Sequence, residues 1–338
     1  MRIALDAMGG DLAPQATVEG AYLYQKETHS KHQLVLIGHK NVLNAEIEKH
    51  GSLSDNNIEI VHAEEIIGME ESPTEALKQK KDSSMQVGLR LHKESTVDAF
   101  VSAGNTGAQM AASLLHLGRI PGVNRPAIGS FLPSERGMVF LIDVGANADC
   151  KPLNLLQFGL MGSIYVDHIY RTPDLSVGLL NIGEEEKKGN ECSQAAFKLM
   201  QERLRGFKGN VEGRDILKGV VDIVVCDGFV GNIILKFAES VIGVLAKNFR
   251  RNLGTNLFIN LGALLVKPAF SEMRRNYDYQ EYGGVPLLGV NGISIICHGS
   301  STPKAIKNAI SVAERMIKSK VNDHIARTLN NGGDTIGG

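Results

Sequence analysis

The chain has 338 residues, enough to bury roughly three quarters of its unfolded surface, so a large core needs no disulfide or metal staple. Its 36 Lys and Arg nearly balance 37 Asp and Glu, and a net charge of -1 excludes a whole-molecule field for nucleic acid or an anionic membrane, so any anion site must be local. The four cysteines (Cys150, Cys192, Cys226 and Cys297) include no C-x-x-C pair, which argues against a zinc site or a disulfide framework and fits a reducing cytosol.

In chain order, short β-branched runs predict strands at 2–6 (RIALD), 33–37, 58–62, 97–102, 127–132, 138–143, 176–182, 221–226 and 293–297. Helical patterns fall between them, clearest at 14–27, 106–117, 153–170, 190–203, 231–250 and 303–318. Alternation of this kind implies a mainly parallel sheet with helices on both faces, a three-layer α/β/α fold. The runs at 127 and 138 are joined only by PSERG and read as a hairpin, which makes the sheet mixed. One α/β domain over 1–330 is expected, with a helical excursion at about 238–290 that contains no strand and a flexible tail at 331–338. The opening MRIALDAMGGD turns polar too soon for a signal peptide, and no run reaches the ~20 apolar residues that span a bilayer.

Glycine makes up 37 of the residues, about 11% against a usual ~7%, and it clusters where strands end. DAMGGD follows the first strand, SAGNTGA the fourth, DVGANAD the sixth, NIGEEEKKGNE the seventh, and CDGFVGN and CHGSSTPKA the last two. In a parallel sheet such turns share one edge, and the helix that follows each offers unpaired N–H groups and a partial positive charge to an anion. For one turn alone, glycine can simply permit tight geometry; several on one edge favour a phosphate or carboxylate seat. No G-x-G-x-x-G follows the first strand, and G-x-x-x-x-G-K-[ST] and G-x-S-x-G are absent, so dinucleotide, nucleoside triphosphate and serine-hydrolase readings lose their motif. A small anion, with no cofactor and no metal, is what remains.

Several side chains could act there. Asn232 is read as opening a helix with Lys236 one turn on, either in the crevice or solvated. Lys187 and Lys188 precede Asn190, a helix cap, in a charged loop that is otherwise ordinary surface. His298 ends an apolar strand and suits either a general base or phosphate donor or a structural role. Asp6, Asp143 and Asp227, with Gly9 and Gly10, are expected to shape the turns by accepting backbone N–H groups. Cys226 and Cys297 end buried-looking strands and read as inert core thiols. The apolar stretch LFINLGALLV at 257–266, with Leu257, Leu261 and Leu264 and basic flanks, suits a dimer interface, a shallow lipid contact or core packing.

Together DAMGGD, SAGNTGA, DVGAN, EGRDIL, DGFVGN and YGGVPLLGVNG…CHGSS resemble the bacterial acyl-acyl carrier protein:phosphate acyltransferases, in order and over nearly the whole chain. That resemblance implies a fold related to the isocitrate and isopropylmalate dehydrogenases and the phosphotransacetylases. It also implies a cytoplasmic homodimer held peripherally at the inner face of the membrane, passing fatty acyl groups from acyl carrier protein to inorganic phosphate for a downstream glycerol-3-phosphate acyltransferase. On this basis Ser102, Gly104, Asn105, Thr106, Gly107 and the turn of Gly299 and Ser300 are expected to cradle phosphate. Lys188, Asn232, Lys236 and His298 are expected to position it or polarise the thioester. A phosphotransacylase using acyl-coenzyme A and a non-catalytic anion sensor at a lipid surface remain the competing readings; a decarboxylating dehydrogenase would want clearer carboxylate pairs.

Overall fold

In the computed structural model, which describes all residues except 29–31, 51–56, 173, 253–282 and 331–338, the opening RIALD forms β1 (Arg2–Asp6), with residues 3–6 all buried. A strand apolar on both faces belongs inside a sheet covered on both sides. β1 pairs in parallel with β2 (Gln33–Gly38) and β4 (Ala99–Ser102), and β2 with β3 (Ile58–His62). The second half holds the hairpin of β5 (Ala127–Ser134) and β6 (Gly137–Ile142), followed by β7 (Val177–Leu180), β8 (Phe207–Val211) and β9 (Ile223–Val225). β10 (Val285–Leu288) and β11 (Ser294–Ile296) return to the middle, giving one sheet in the order β3-β2-β1-β4-β11-β10-β5-β6-β9-β7-β8.

Helices cover both faces. On one lie α1 (Gln15–Thr28), α2 (Lys40–Ile47), α6 (Pro152–Tyr170) and α7 (Glu191–Arg203), with α10 (Pro303–Ser319) and α11 (Val321–Asn330). On the other, α3 (Pro73–Gln79), α4 (Ser84–Lys93) and α5 (Thr106–His116) share one cluster, and α8 (Gly213–Lys218) and α9 (Gly228–Asn252) a second. The fully buried ring of Phe140 fixes part of this core, and each such side chain contributes roughly 1.5–3 kcal/mol. Gly129 on β5 makes room for that ring: a Cβ there would lie 2.0 Å from Phe140 Cζ.

Two expectations are corrected. The span 238–290 is not free of strand, because VPLL at 285–288 forms β10 and pairs antiparallel with β11 and β5. The strand exits do not share one edge either. β11 is parallel to β4, but the β11–β10, β10–β5 and β5–β6 pairings are all antiparallel. Three reversals in a row turn β6, β9, β7 and β8 against β1 to β4, so the two groups of glycine turns leave from opposite edges. Residues 257–266, with Leu257, Leu261 and Leu264, and the tail at 331–338 lie outside the described residues.

Candidate active site

At the first edge, Asp6 is the hub. Its buried carboxylate accepts from Ser84 Oγ and Ser102 Oγ, each at 2.6 Å, and from Met8 N at 3.2 Å. Burial pushes its pKa above the ordinary aspartate value, against the pull of those donors. Ser102 Oγ in turn accepts from Gly104 N at 3.0 Å. Ser102 Oγ thus bridges the Asp6 carboxylate and the Gly104 amide within the turn. Gly9 and Gly10 are close-approach positions: a Cβ on Gly9 would sit 2.4 Å from Asp6 Oδ2, and Gly10 has φ +105°. Asp11 N donates to Gly299 O at 2.8 Å, which ties the β1 exit to the β11 exit.

Asn105 caps α5, its Oδ1 accepting from Ala108 N at 3.0 Å. Its Nδ2 donates to Met69 O at 2.9 Å and Glu71 O at 3.0 Å. The side chain is buried, with its oxygen and its amide group both hydrogen-bonded. Thr106, the first residue of α5, is exposed. His298 is exposed as well, with Nδ1 2.8 Å from Ser300 Oγ.

At the opposite edge Asp143 is the matching hub. It is fully buried and accepts five hydrogen bonds: from Ile128 N, Gly145 N, Ala146 N, Asn147 N and Asn147 Nδ2, at 2.8–3.2 Å. Burial raises its pKa as it does that of Asp6. Asp227 Oδ1 accepts from Val230 N at 2.8 Å, and α9 begins at Gly228, so Asn232 lies in the second turn and does not open the helix. Lys236 is exposed and pairs with Glu239 at 2.9 Å.

The two edges meet across one face of the sheet. A cavity of about 480 Å³ over β5 and β10 is lined by Thr106 and His298 from the first group and by Gly145, Asn232 and Lys236 from the second. Its remaining wall is largely apolar, with Ile128, Leu132, Val144, Leu235 and Ile296. That size and mix fit a small-molecule site. Lys188 stands apart. Its exposed loop is held by Asn181 Nδ2, which donates to Lys188 O at 3.0 Å, and borders a second cavity of about 720 Å³ whose walls include Asn181, Gly189 and Asn190. Asn190 caps α7 as expected, accepting from Ser193 N at 2.8 Å.

No thiol is poised as a nucleophile. Cys226 and Cys297 are buried, and burial pushes Cys297 up to about 12 and Cys226 well above the usual thiol range. Cys150 is also raised to about 12, first by burial and then by Asp143. Among the described residues the metal-like grouping is His39, His62 and Glu64, away from the cavity. There His62 Nδ1 accepts from Lys40 N and Nε2 lies 3.0 Å from Glu64 Oε2, a pattern that hydrogen bonds already complete.

Sequence reasoning missed Ser84 and Asn147. Ser84 sits at the start of α4, unread among charged residues, and Asn147 is one of many polar residues in DVGANAD, where nothing local marks it as a partner of Asp143.

The family model described as fatty acid synthesis protein matches residues 1–324. A phosphate acyltransferase from Heliobacterium modesticaldum is 50% identical over 329 residues, covering 96% of this chain and 98% of that protein. One from Pelotomaculum thermopropionicum is 47% identical, covering 97% and 95%. In fold, the chain is similar to a phosphotransacetylase from Streptococcus pyogenes, with a TM-score of 0.62 at 17% identity and 94% of each chain covered. The chain belongs to the fatty acid synthesis protein family, and within it to the phosphate acyltransferases.

Proposed function

We propose that the cavity over β5 and β10 transfers a fatty acyl group from acyl-acyl carrier protein to inorganic phosphate. The observation that carries this reading is the meeting in one cavity of the α5 N-terminus and the His298 turn with Asn232 and Lys236, which leave the sheet from opposite edges. Phosphate sits at the start of α5, where the helix dipole favours an anion. The apolar wall takes the acyl chain, each buried methylene contributing ~0.8 kcal/mol.

A phosphate oxygen attacks the thioester carbonyl carbon. The new C–O bond forms first and pushes the carbonyl electrons onto oxygen; the C–S bond then breaks, and the electron pair leaves on sulfur, which takes up the proton that hydrogen phosphate brought. Asn232 Nδ2 and Lys236 Nζ are the donors for the oxyanion that develops, with Lys236 loosening its pair to Glu239. Holding both reactants in place supplies the rate, which agrees with the high thiol pKa values and with the absent serine motif. Lys188 serves the second cavity in this reading.

The exposed stripe Phe229, Ile233, Phe237, Val241 and Val244 on α9 supports a homodimer. The single sheet supports one domain over 1–330. A cytoplasmic enzyme resting on the inner membrane face, delivering acyl phosphate to a glycerol-3-phosphate acyltransferase, completes the reading; among the described residues no helix is long and apolar enough to cross a membrane. Kinship to the isocitrate and isopropylmalate dehydrogenases rests on the sequence motifs.

The test is to offer the same acyl group on carrier protein and on coenzyme A, with phosphate, and to trap product with hydroxylamine. Hydroxamate from the carrier-protein donor at a higher kcat/KM is expected. Preference for the coenzyme A donor would move the assignment to a phosphotransacylase, and no product from either would leave an anion sensor.

A further inference from the structure

The segment before α3 reaches over the first group of turns. Both amide protons of Asn105 point to it, at Met69 O and Glu71 O, while Asn105 Oδ1 stays on Ala108 N. Two glycines that read as openings for an anion are filled by the same segment. A Cβ on Gly107 would lie 2.8 Å from Pro73 Cγ, and one on Gly299 would lie 2.7 Å from Met69 Cε. The segment is also locked at its base. Glu71 Oε1 accepts from Gly68 N at 3.1 Å and from the Lys80 ammonium, which donates as well to Ile66 O at 2.7 Å. Lys80 holds the Glu71 carboxyl below its ordinary range.

We infer that residues 66–73 form a strap that positions the phosphate seat, with Asn105 as its hub and Lys80 as its latch. The strap touches the start of α5 through Asn105 and Gly107, and the His298 turn through Gly299. It thereby sets the spacing of two turns that belong to different elements. Donors to a small anion act fully only when held within a fraction of an ångström, so a latch outside the cavity controls affinity inside it. Asn105 and Lys80 are positioning residues, and this role rests on the proposed function.

The test compares Lys80→Met, Lys80→Arg and Asn105→Asp; the last keeps an oxygen for Ala108 N but removes the two donors. The KM for phosphate is expected to rise about tenfold or more in Lys80→Met and Asn105→Asp, with the KM for the acyl donor within about twofold of wild type and much of the effect recovered in Lys80→Arg. A wild-type phosphate KM in both variants, or a loss confined to kcat, overturns the inference. If the wild type forms no acyl phosphate, the functional reading fails by itself and hydrogen exchange judges the strap. Lys80→Met then speeds exchange at residues 105–109 and 298–301, and unchanged rates at both overturn it.

Discussion

Gly231→Ala tests how tightly α9 is seated. A Cβ built on Gly231 falls 1.8 Å from Asp143 O and 2.9 Å from Cys226 Sγ, so the helix must retreat by more than an ångström to admit it. Asp143 cannot yield instead, since five hydrogen bonds pin its carboxylate. Overpacking of this kind costs ~1–3 kcal/mol or more, against the ~1 kcal/mol that Gly to Ala gains inside a helix. The clash wins, and a net loss of about 1–2 kcal/mol is expected. Gly243 on the same helix is the control: nothing lies within 4 Å of its Cβ position, so Gly243→Ala should gain up to ~1 kcal/mol. Urea unfolding measures both. Because Asn232 and Lys236 follow Gly231 on the helix, the same retreat should lower kcat by about 10²-fold. A Gly231→Ala enzyme with wild-type stability and rate would refute the reasoning.

Asp143→Ala strips the acceptor from five donors, several of them buried, at ~1–3 kcal/mol for each left unpaired, and should shift the urea midpoint sharply or abolish soluble protein. Asp6 and Asp143 both titrate above 3.8 in the folded chain, so the unfolded chain releases these protons first. Their contribution thus favours the fold on the acid side and is lost as pH climbs from about 3.8 through the raised values; Asp6→Asn should flatten that part of a stability–pH curve. Burial raises all four thiols above the usual range, Cys150 and Cys297 to about 12, so brief iodoacetamide treatment at neutral pH should leave activity intact, as followed by rate and mass spectrometry.

The elements that could be read are those whose own residues decide them. RIALD and QLVLI are β-branched or leucine-rich and bounded by turns, and Asn105 and Asn190 are caps because Asn accepts helix N–H groups. FKGNV hides β8, since Lys, Gly and Asn are poor strand residues, and Pro286, with no N–H to donate, makes VPLL look like loop. The direction of the sheet was not legible because it depends on β10 pairing with strands on both sides, one of them far away in sequence. The role of Asn105 was half legible. Its cap is local, but the carbonyls that use its amide lie more than thirty residues earlier.

Direct attack by phosphate is most directly tested in a single turnover with enzyme in excess over palmitoyl-acyl carrier protein, quenched in acid and read by protein mass spectrometry. Without phosphate, the donor should stay intact and no acyl group should appear on the enzyme; with phosphate, acyl phosphate should form in step with donor loss. An acylated enzyme that accumulates before phosphate is added would contradict the account.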